Sequence, residues 1–288
     1  MKQQELLSWA RESLSRAGCD TPALDAELLA AHVLGVDRTR VLMVPERELT
    51  AAEQERFRQL VERRARREPL PYILGEWEFF GLKLFVSPAA LVPRPETETL
   101  VEACLARLPE EAPQLTGVDV GCGSGAIAVA LATKLSGSRL LAIDSSAAAL
   151  ELARRNCARH GVADRVTLLQ GDLLAPLSGQ VARGGVDFIA ANLPYIPTGE
   201  IAGLPPEVRD WEPRGAIDGG PDGLREVRRL IAAAPEWLKP GGFIALEISP
   251  EQAQEVRRIL AAHDFVRIEV VNDLSGRPRV VVGGWGSE

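Results

Sequence analysis

The period of apolar and polar positions changes along the chain. From residue 1 to about 75 apolar residues recur at helical spacing, with no strand alternation. MKQQELLSWARESLSRAG is an amphipathic helix pattern, and Pro22, just after the N-cap residue Thr21, opens a second one, ALDAELLAAHVLG. Thr50-Ala51-Ala52-Glu53 has the spacing of a capping box, ahead of a long polar helix running to Arg67. Residues 76–92 change character. EWEFF and KLFV around Gly81 put aromatic and β-branched residues on either side of a turn, which predicts a hairpin. From about residue 93 strand and helix patterns alternate. TGVDV, RLLAID, VTLLQGD, VDFIAAN, GGFIALEIS, FVRIEVVN and RVVVGG read as strands, while AIAVALATKL and AAALELARRNCARHG read as helices. Such alternation predicts an α/β fold, a mostly parallel sheet with helices on both faces. The expected organisation is a small all-helical domain over 1–75, a hairpin linker over 76–92 and a larger domain over 93–288. Residues 197–223, rich in Pro and Gly, interrupt the alternation as a long irregular insertion, and ordered loops of that length tend to be functional.

Composition narrows the functional classes. The 288 residues are 46% hydrophobic and 25% charged, enough for one large core and a smaller satellite. A net charge of −7 argues against nucleic acid as the main partner, because phosphate contacts need positive charge. The one dense basic cluster, Arg63, Arg64, Arg66 and Arg67, reads as a solvated helix face. No apolar run approaches the roughly 20 residues needed to span a bilayer. The N-terminus has no charged stub followed by an apolar segment, so a cytoplasmic protein without membrane contact is expected. The four cysteines lie far apart with no C-x-x-C pair, and the three histidines lack ligand spacing. Neither a disulfide framework nor a metal site is expected.

The candidate chemistry sits at strand ends. Asp119-Val120-Gly121-Cys122-Gly123-Ser124-Gly125 follows a strand and opens a helix. Glycines there allow a tight turn and close backbone approach to a ligand, and the helix N-terminus supplies free N–H groups. Dinucleotide sites share this feature, but the spacing here is G-x-G-x-G and not G-x-G-x-x-G. Asp144 ends the next strand, 19 residues after Gly125, where its carboxylate can accept ribose hydroxyls. Asp172 ends the strand after that and suits an adenine amino group, with Leu173 against the ring. Any one of these has a plain structural explanation as turn or cap; three at successive strand ends point to a ligand site. The pattern resembles the nucleotide-binding part of class I methyltransferases, which have a Rossmann-like fold and bind S-adenosylmethionine. The cofactor residues so implied are Gly121, Cys122, Gly123, Ser124, Gly125, Asp144, Asp172 and Leu173.

Asn192-Leu193-Pro194-Tyr195 follows the fourth strand at the same sheet edge. It resembles the N-P-P-Y signature of amino and amide methyltransferases, with Leu for the first Pro. An amide or adenine amino nitrogen is a poor nucleophile because its lone pair is delocalised, so it must be held close and in line. The Asn192 side-chain oxygen and the carbonyl of Leu193 can each accept one N–H, and Tyr195 can lie against the flat substrate group. Asn192, Leu193, Pro194 and Tyr195 are therefore the expected catalytic residues. Asn192 is expected to touch the cofactor as well.

Further segments resemble one family over nearly the whole chain. Residues 63–102, with Arg94-Pro95-Glu96-Thr97-Glu98, are similar to the linker and hairpin of bacterial peptide chain release factor glutamine methyltransferases. So are Trp211-Glu212-Pro213-Arg214, Asp218-Gly219-Gly220-Pro221-Asp222-Gly223-Leu224, Leu238-Lys239-Pro240-Gly241-Gly242, Glu247-Ile248 and Asp273-Leu274-Ser275-Gly276-Arg277. Leu193 and Ser249-Pro250 depart from the family pattern. The resemblance implies methyl transfer to the glutamine N5 of the Gly-Gly-Gln loop of class I release factors, gripped by the helical domain and hairpin. The neighbouring alternatives are a ribosomal-protein glutamine methyltransferase and a nucleic-acid adenine-N6 methyltransferase.

Overall fold

The computed structural model describes residues 2–109 and 114–286. The chain divides into two compact units. The first runs to Glu76 and takes in Pro205–Trp211 from far along the chain. The second comprises Trp77–Leu204 and the chain from Glu212 onward.

The first unit is built from α1 (Gln3–Arg16), α2 (Pro22–Leu34), α3 (Arg38–Met43), α4 (Ala51–Ala65) and α5 (Leu70–Leu74). Leu6, Ala10, Leu14, Leu29, Phe57 and Val61 are buried within it. The capping box forms: Glu53 N–H donates to Thr50 Oγ1 at 3.2 Å and Thr50 N–H to Glu53 Oε2 at 2.8 Å. Pro22 does open α2, but Thr21 spends its hydroxyl on Asp25 Oδ1 (2.7 Å) and not on the helix backbone. α4 stops two residues short of Arg67, which has a left-handed backbone (φ +65). Pro69 disfavours helical backbone at Glu68, so the helix has nowhere to continue.

Of the arginine cluster only Arg66 is an exposed residue, and the other three carry partners. Arg63 pairs with Glu68, and Arg64 Nε pairs with Asp25 Oδ2 at 2.7 Å. The returning segment forms α9 (Pro206–Arg209), whose Glu207 accepts from Arg64 Nη1 at 2.8 Å and from Arg67 Nε and Nη2, each at 2.6 Å. Burial would raise the Glu207 carboxyl, but the bonds from Arg67 and Arg64 outweigh it and hold the group below its ordinary range. Glu207→Ala would leave the buried Arg64 with one carboxylate fewer and Arg67 with none from this segment. We expect a loss of about 1–3 kcal/mol, read as a lower thermal midpoint. An unchanged midpoint would mean that the segment is held by other contacts.

The second unit begins within a hairpin of β1 (Glu76–Phe79) and β2 (Leu82–Phe85), turned by Phe80 and Gly81, both at positive φ. Next come α6 (Glu98–Leu105), β3 (Thr116–Val120), α7 (Ala126–Lys134), β4 (Arg139–Asp144), α8 (Ala147–Arg159), β5 (Val166–Gln170) and β6 (Val186–Ala191). After the insertion follow α10 (Arg225–Ala233), β7 (Leu238–Glu247), α11 (Ala253–Ala262), β8 (Val266–Asn272) and β9 (Pro278–Gly284). The sheet order is β5-β4-β3-β6-β7-β9-β8. β5 to β7 run parallel, while β9 is antiparallel to both β7 and β8. One apolar layer carries the buried faces of α6, α7 and α8, and the other those of α10 and α11. Gly117 in β3 has a packing reason. A Cβ there would lie 2.2 Å from the Phe188 ring, which stacks on Phe243 with centroids 5.7 Å apart.

The hairpin is more than a connector. Buried Asn156 on α8 accepts the Phe85 N–H (2.7 Å) and donates to Phe85 O (3.0 Å) and Ser124 O (2.9 Å). One side chain thus ties β2 to the glycine turn after β3.

Candidate functional site

From β3 the chain moves outward to β4 and β5, then crosses back to β6 and on to β7. The connections after β3 and β6 leave in opposite directions, which parts the strand ends and opens a crevice. A cleft of about 380 Å³ lies there. Among its walls are Gly121, Cys122, Gly123, Ser124, Asp144, Asp172, Leu173, Asn192, Leu193 and Pro194. Gly125 and Tyr195, also expected in the site, are not part of the wall.

The glycine turn folds as its residue types require. Gly121, Gly123 and Gly125 have φ of +73, +54 and +78. The N–H groups of Gly121 and Cys122 both donate to Ile143 O, at 2.8 and 2.9 Å, which pins the turn to β4. Gly125 serves packing: a Cβ there would sit 3.0 Å from Ala153 Cβ on α8. Asp144 accepts Gly123 N–H on Oδ2 and Ser146 N–H on Oδ1, each at 2.8 Å. Its carboxylate is therefore fixed at the lip of the cleft with lone pairs to spare. Asp172 is paired with Arg229 and largely exposed, and Leu173 has a positive φ of +46. The Cys122 thiol is pushed well up by burial, with Asp119 and Asp144 adding to the effect, so it is no nucleophile. Asp119, behind the turn, is raised to about 7, first by burial. Its Oδ2 accepts Ala128 N–H at 3.0 Å, while Oδ1 has no partner.

Asn192 follows β6 directly, and its Nδ2 donates to Thr97 Oγ1 at 3.1 Å. Its Oδ1 is thereby the end left to accept from a ligand. The Leu193 side chain is 5% exposed and belongs to the core layer beneath, and a Cβ on Gly121 would meet its Cδ2 at 3.2 Å. The sequence reading gives Leu193 only a carbonyl; the fold gives it a packing role too. The Tyr195 carbonyl accepts from Gln252 Nε2 at 2.9 Å. Its phenol donates to Glu247 Oε1 at 3.5 Å and is raised to about 12, first by burial and then by the Glu247 charge.

Residues with no assigned role in the sequence complete the site. Arg94 lines the cleft and donates to Glu212 Oε2 at 2.7 Å, while Glu212 Oε1 accepts Val92 N–H at 3.2 Å. Burial raises the Glu212 carboxyl in spite of Arg94. Thr97 and Glu247 stand behind Asn192 and Tyr195. One signal could have marked Glu247: it is an ionisable residue ending the otherwise apolar run Phe243–Leu246 of a central strand.

Residues 5–75 match a family model described as the PrmC N-terminal domain, and residues 118–211 match one described as a methyltransferase domain. A release factor glutamine methyltransferase of Geobacter sulfurreducens is 42% identical over 98% of this chain and 96% of its own. One from Moorella thermoacetica is 45% identical over 97% of each chain. Among solved structures, a methyltransferase from Pyrococcus furiosus superimposes with a TM-score of 0.52 at 18% identity. That match covers 73% of this chain and 91% of the other, and bears on the fold alone. The expected class I methyltransferase fold is the fold found.

Proposed function

The chain belongs to the release factor glutamine methyltransferase family, and from that premise we propose that it methylates the glutamine N5 in the Gly-Gly-Gln loop of class I peptide chain release factors. S-adenosylmethionine is the cofactor of this fold and family, and it supplies an electrophilic methyl group on a sulfonium sulfur. The residues present fit it. Gly121 and Gly123 keep the turn free of side chains, Ala126 and Ile127 bring the α7 N-terminus to the cleft, and Asp144 offers a fixed carboxylate. We assign the cofactor to Gly121, Cys122, Gly123, Ser124, Asp144, Asp172, Leu173 and Asn192, with Gly125 shaping the turn.

The observation that carries the substrate assignment is the orientation of Asn192. Its Nδ2 is engaged by Thr97, so Oδ1 accepts one N–H of the substrate amide. The Tyr195 carbonyl is engaged by Gln252, and we assign the second N–H to the Leu193 carbonyl. Two acceptors hold the nitrogen in line and stabilise it as it becomes positive. The nitrogen gives its proton to solvent water after methyl transfer, so no ionised base is needed within the motif. Pro194 and Tyr195 shape the loop that presents these acceptors.

We assign the helical unit to release factor recognition, as the family resemblance implies, and place the enzyme with its substrate in the cytoplasm. No helix among the described residues is long and apolar enough to cross a membrane. An adenine substrate would call for a basic groove, whereas Arg63, Arg64 and Arg67 each carry a carboxylate partner. Incubation with cofactor and a purified release factor should add one methyl group to the peptide carrying Gly-Gly-Gln, read by mass spectrometry. Methylation elsewhere, or none, would overturn the assignment. Asp144→Ala should weaken cofactor binding by about 1–3 kcal/mol in calorimetry, since it leaves buried hydroxyls and the Gly123 N–H unpaired. Unchanged affinity would remove Asp144 from the site.

A further inference from the structure

Asp172 comes shortly after β5 and lines the cleft. The main chain around it is held. Gly171 N–H donates to Asp144 O at 3.0 Å, and Ala175 N–H donates to Asp172 O at 3.1 Å. A Cβ on Gly171 would lie 2.3 Å from Pro176 Cγ, so the turn is closely packed as well. The Asp172 side chain, by contrast, is 64% exposed, and among the described residues only Arg229 bonds to its carboxylate. Arg229 Nη1 donates to Oδ1 at 3.3 Å, and Nη2 donates to Oδ2.

Arg229 reaches Asp172 from α10, a helix fixed through buried Val227, Leu230 and Ile231. Its Nη1 also donates to Glu226 Oε2 at 2.6 Å, and Glu226 Oε1 accepts from Arg225 Nε at 2.8 Å. The guanidinium is thus held on the helix side as well as by Asp172. Arg225, Glu226 and Arg229 all line the same cleft.

An exposed ion pair contributes little to stability. Two parallel N–H bonds from one guanidinium supply orientation instead, because the planar fork sets the plane and direction of the carboxylate. About half of the acceptor positions of Asp172 are taken in this way, and the remainder point in a fixed direction.

We propose that Arg229 is the positioning residue that aims the Asp172 carboxylate at the amino group of the cofactor's adenine, and that this restraint selects adenine over a 6-oxopurine. The proposal rests on the reading of Asp172 as acceptor of that amino group. A carboxylate fixed towards position 6 accepts from an amino group and opposes an oxo group, whose lone pairs face its own. A carboxylate free to swing can turn to the N1–H that a 6-oxopurine carries and recover a hydrogen bond. Selectivity therefore lies in the restraint as well as in the charge.

The test is calorimetric affinity of the full chain for S-adenosylhomocysteine and for S-inosylhomocysteine, in which the 6-amino group is replaced by a 6-oxo group. Wild type should bind the adenine compound about 10-fold more tightly or better. Arg229→Ala should shrink that preference by about 3- to 10-fold, the cost of ordering one side chain on binding, and leave the melting midpoint nearly unchanged. Arg228→Ala is the control for a positive charge lost from α10, since Arg228 pairs with Asp222 and is not part of the wall. It should keep the wild-type preference. Asp172→Asn should lose most of the preference, because an amide can accept from an amino group or donate to an oxo group. Adding Arg229→Ala to Asp172→Asn should change the preference no further, as both act on one contact. If Arg229→Ala keeps the wild-type preference while Asp172→Asn loses it, the positioning role is wrong and the adenine reading stands. If Asp172→Asn keeps the preference, or wild type has none, Asp172 does not read the base. If Arg229→Ala binds the adenine compound more tightly than wild type, Arg229 competes with the base for Asp172 and the proposal is overturned.

Discussion

Asn192→Ala should lower the rate of methyl transfer to the release factor glutamine by about 10²–10³ under single-turnover conditions. Two losses combine. The acceptor for one substrate N–H disappears, just when that nitrogen is gaining positive charge. The Thr97 hydroxyl also loses the Nδ2–H it now receives at 3.1 Å, leaving a buried polar oxygen with one partner fewer. The first loss acts on the transition state and the second on the free enzyme. The rate should therefore fall far more than the melting midpoint. Asn192 is also proposed to touch the cofactor, so the measurement needs cofactor at saturation, with affinity determined separately by calorimetry. A wild-type rate for this variant would show that the substrate amide is held elsewhere.

Gly223→Ala should be nearly as damaging, although it removes no functional group. Gly223 is the last residue of the insertion, at φ +76. A Cβ there would be 2.2 Å from the Tyr195 carbonyl oxygen and 2.6 Å from Gln252 Nε2, the two atoms that hydrogen-bond to each other. Gly219, four residues earlier, presses the loop in the same manner, since its Cβ would be 2.6 Å from the Pro194 carbonyl. The two glycines thus form a backbone floor under Pro194 and Tyr195. An alanine at 223 meets the left-handed backbone penalty and a clash with main chain, which has no rotamer by which to retreat. We expect a loss of about 2–4 kcal/mol in stability. The Tyr195 carbonyl must shift by a large fraction of an ångström, so the transfer rate should fall by about 10². Gly199→Ala is the matched control, since a Cβ there has nothing within 4 Å. If Gly223→Ala melts and turns over like the control, the glycine floor does not position the loop.

The linear order of residues carries most of the architecture and brings the glycine turn, Asp144 and Asn192 to one cleft. Strand–helix alternation after residue 93 is a local signal, because burial on two faces makes short apolar runs and burial on one face makes helical spacing. The glycine turn, Asp144 and Asn192 are legible for a related reason. In a doubly wound sheet the residues that directly follow parallel strands are delivered to one edge, so position along the chain predicts position in space. The capping box at Thr50 is likewise complete within four consecutive residues.

Folding alone brings together the groups that stand behind the cleft. Thr97, Asn192 and Glu247 meet from three separate segments, 95 and 52 residues apart between the bonded partners Thr97–Asn192 and Tyr195–Glu247. Arg94 finds Glu212 across 118 residues, and Asp172 finds Arg229 across 57. Arg64 and Arg67 look solvated in the sequence because their partners are remote. Glu207 reaches Arg64 and Arg67 only when Pro205–Trp211 returns to the helical unit, 140 residues and more along the chain. A polar side chain reveals by its type that it wants a partner if buried, but neither burial nor partner is a property of its neighbours in sequence. Both arise when apolar faces close over the sheet and leave each enclosed charge to pair with what the packing has placed beside it.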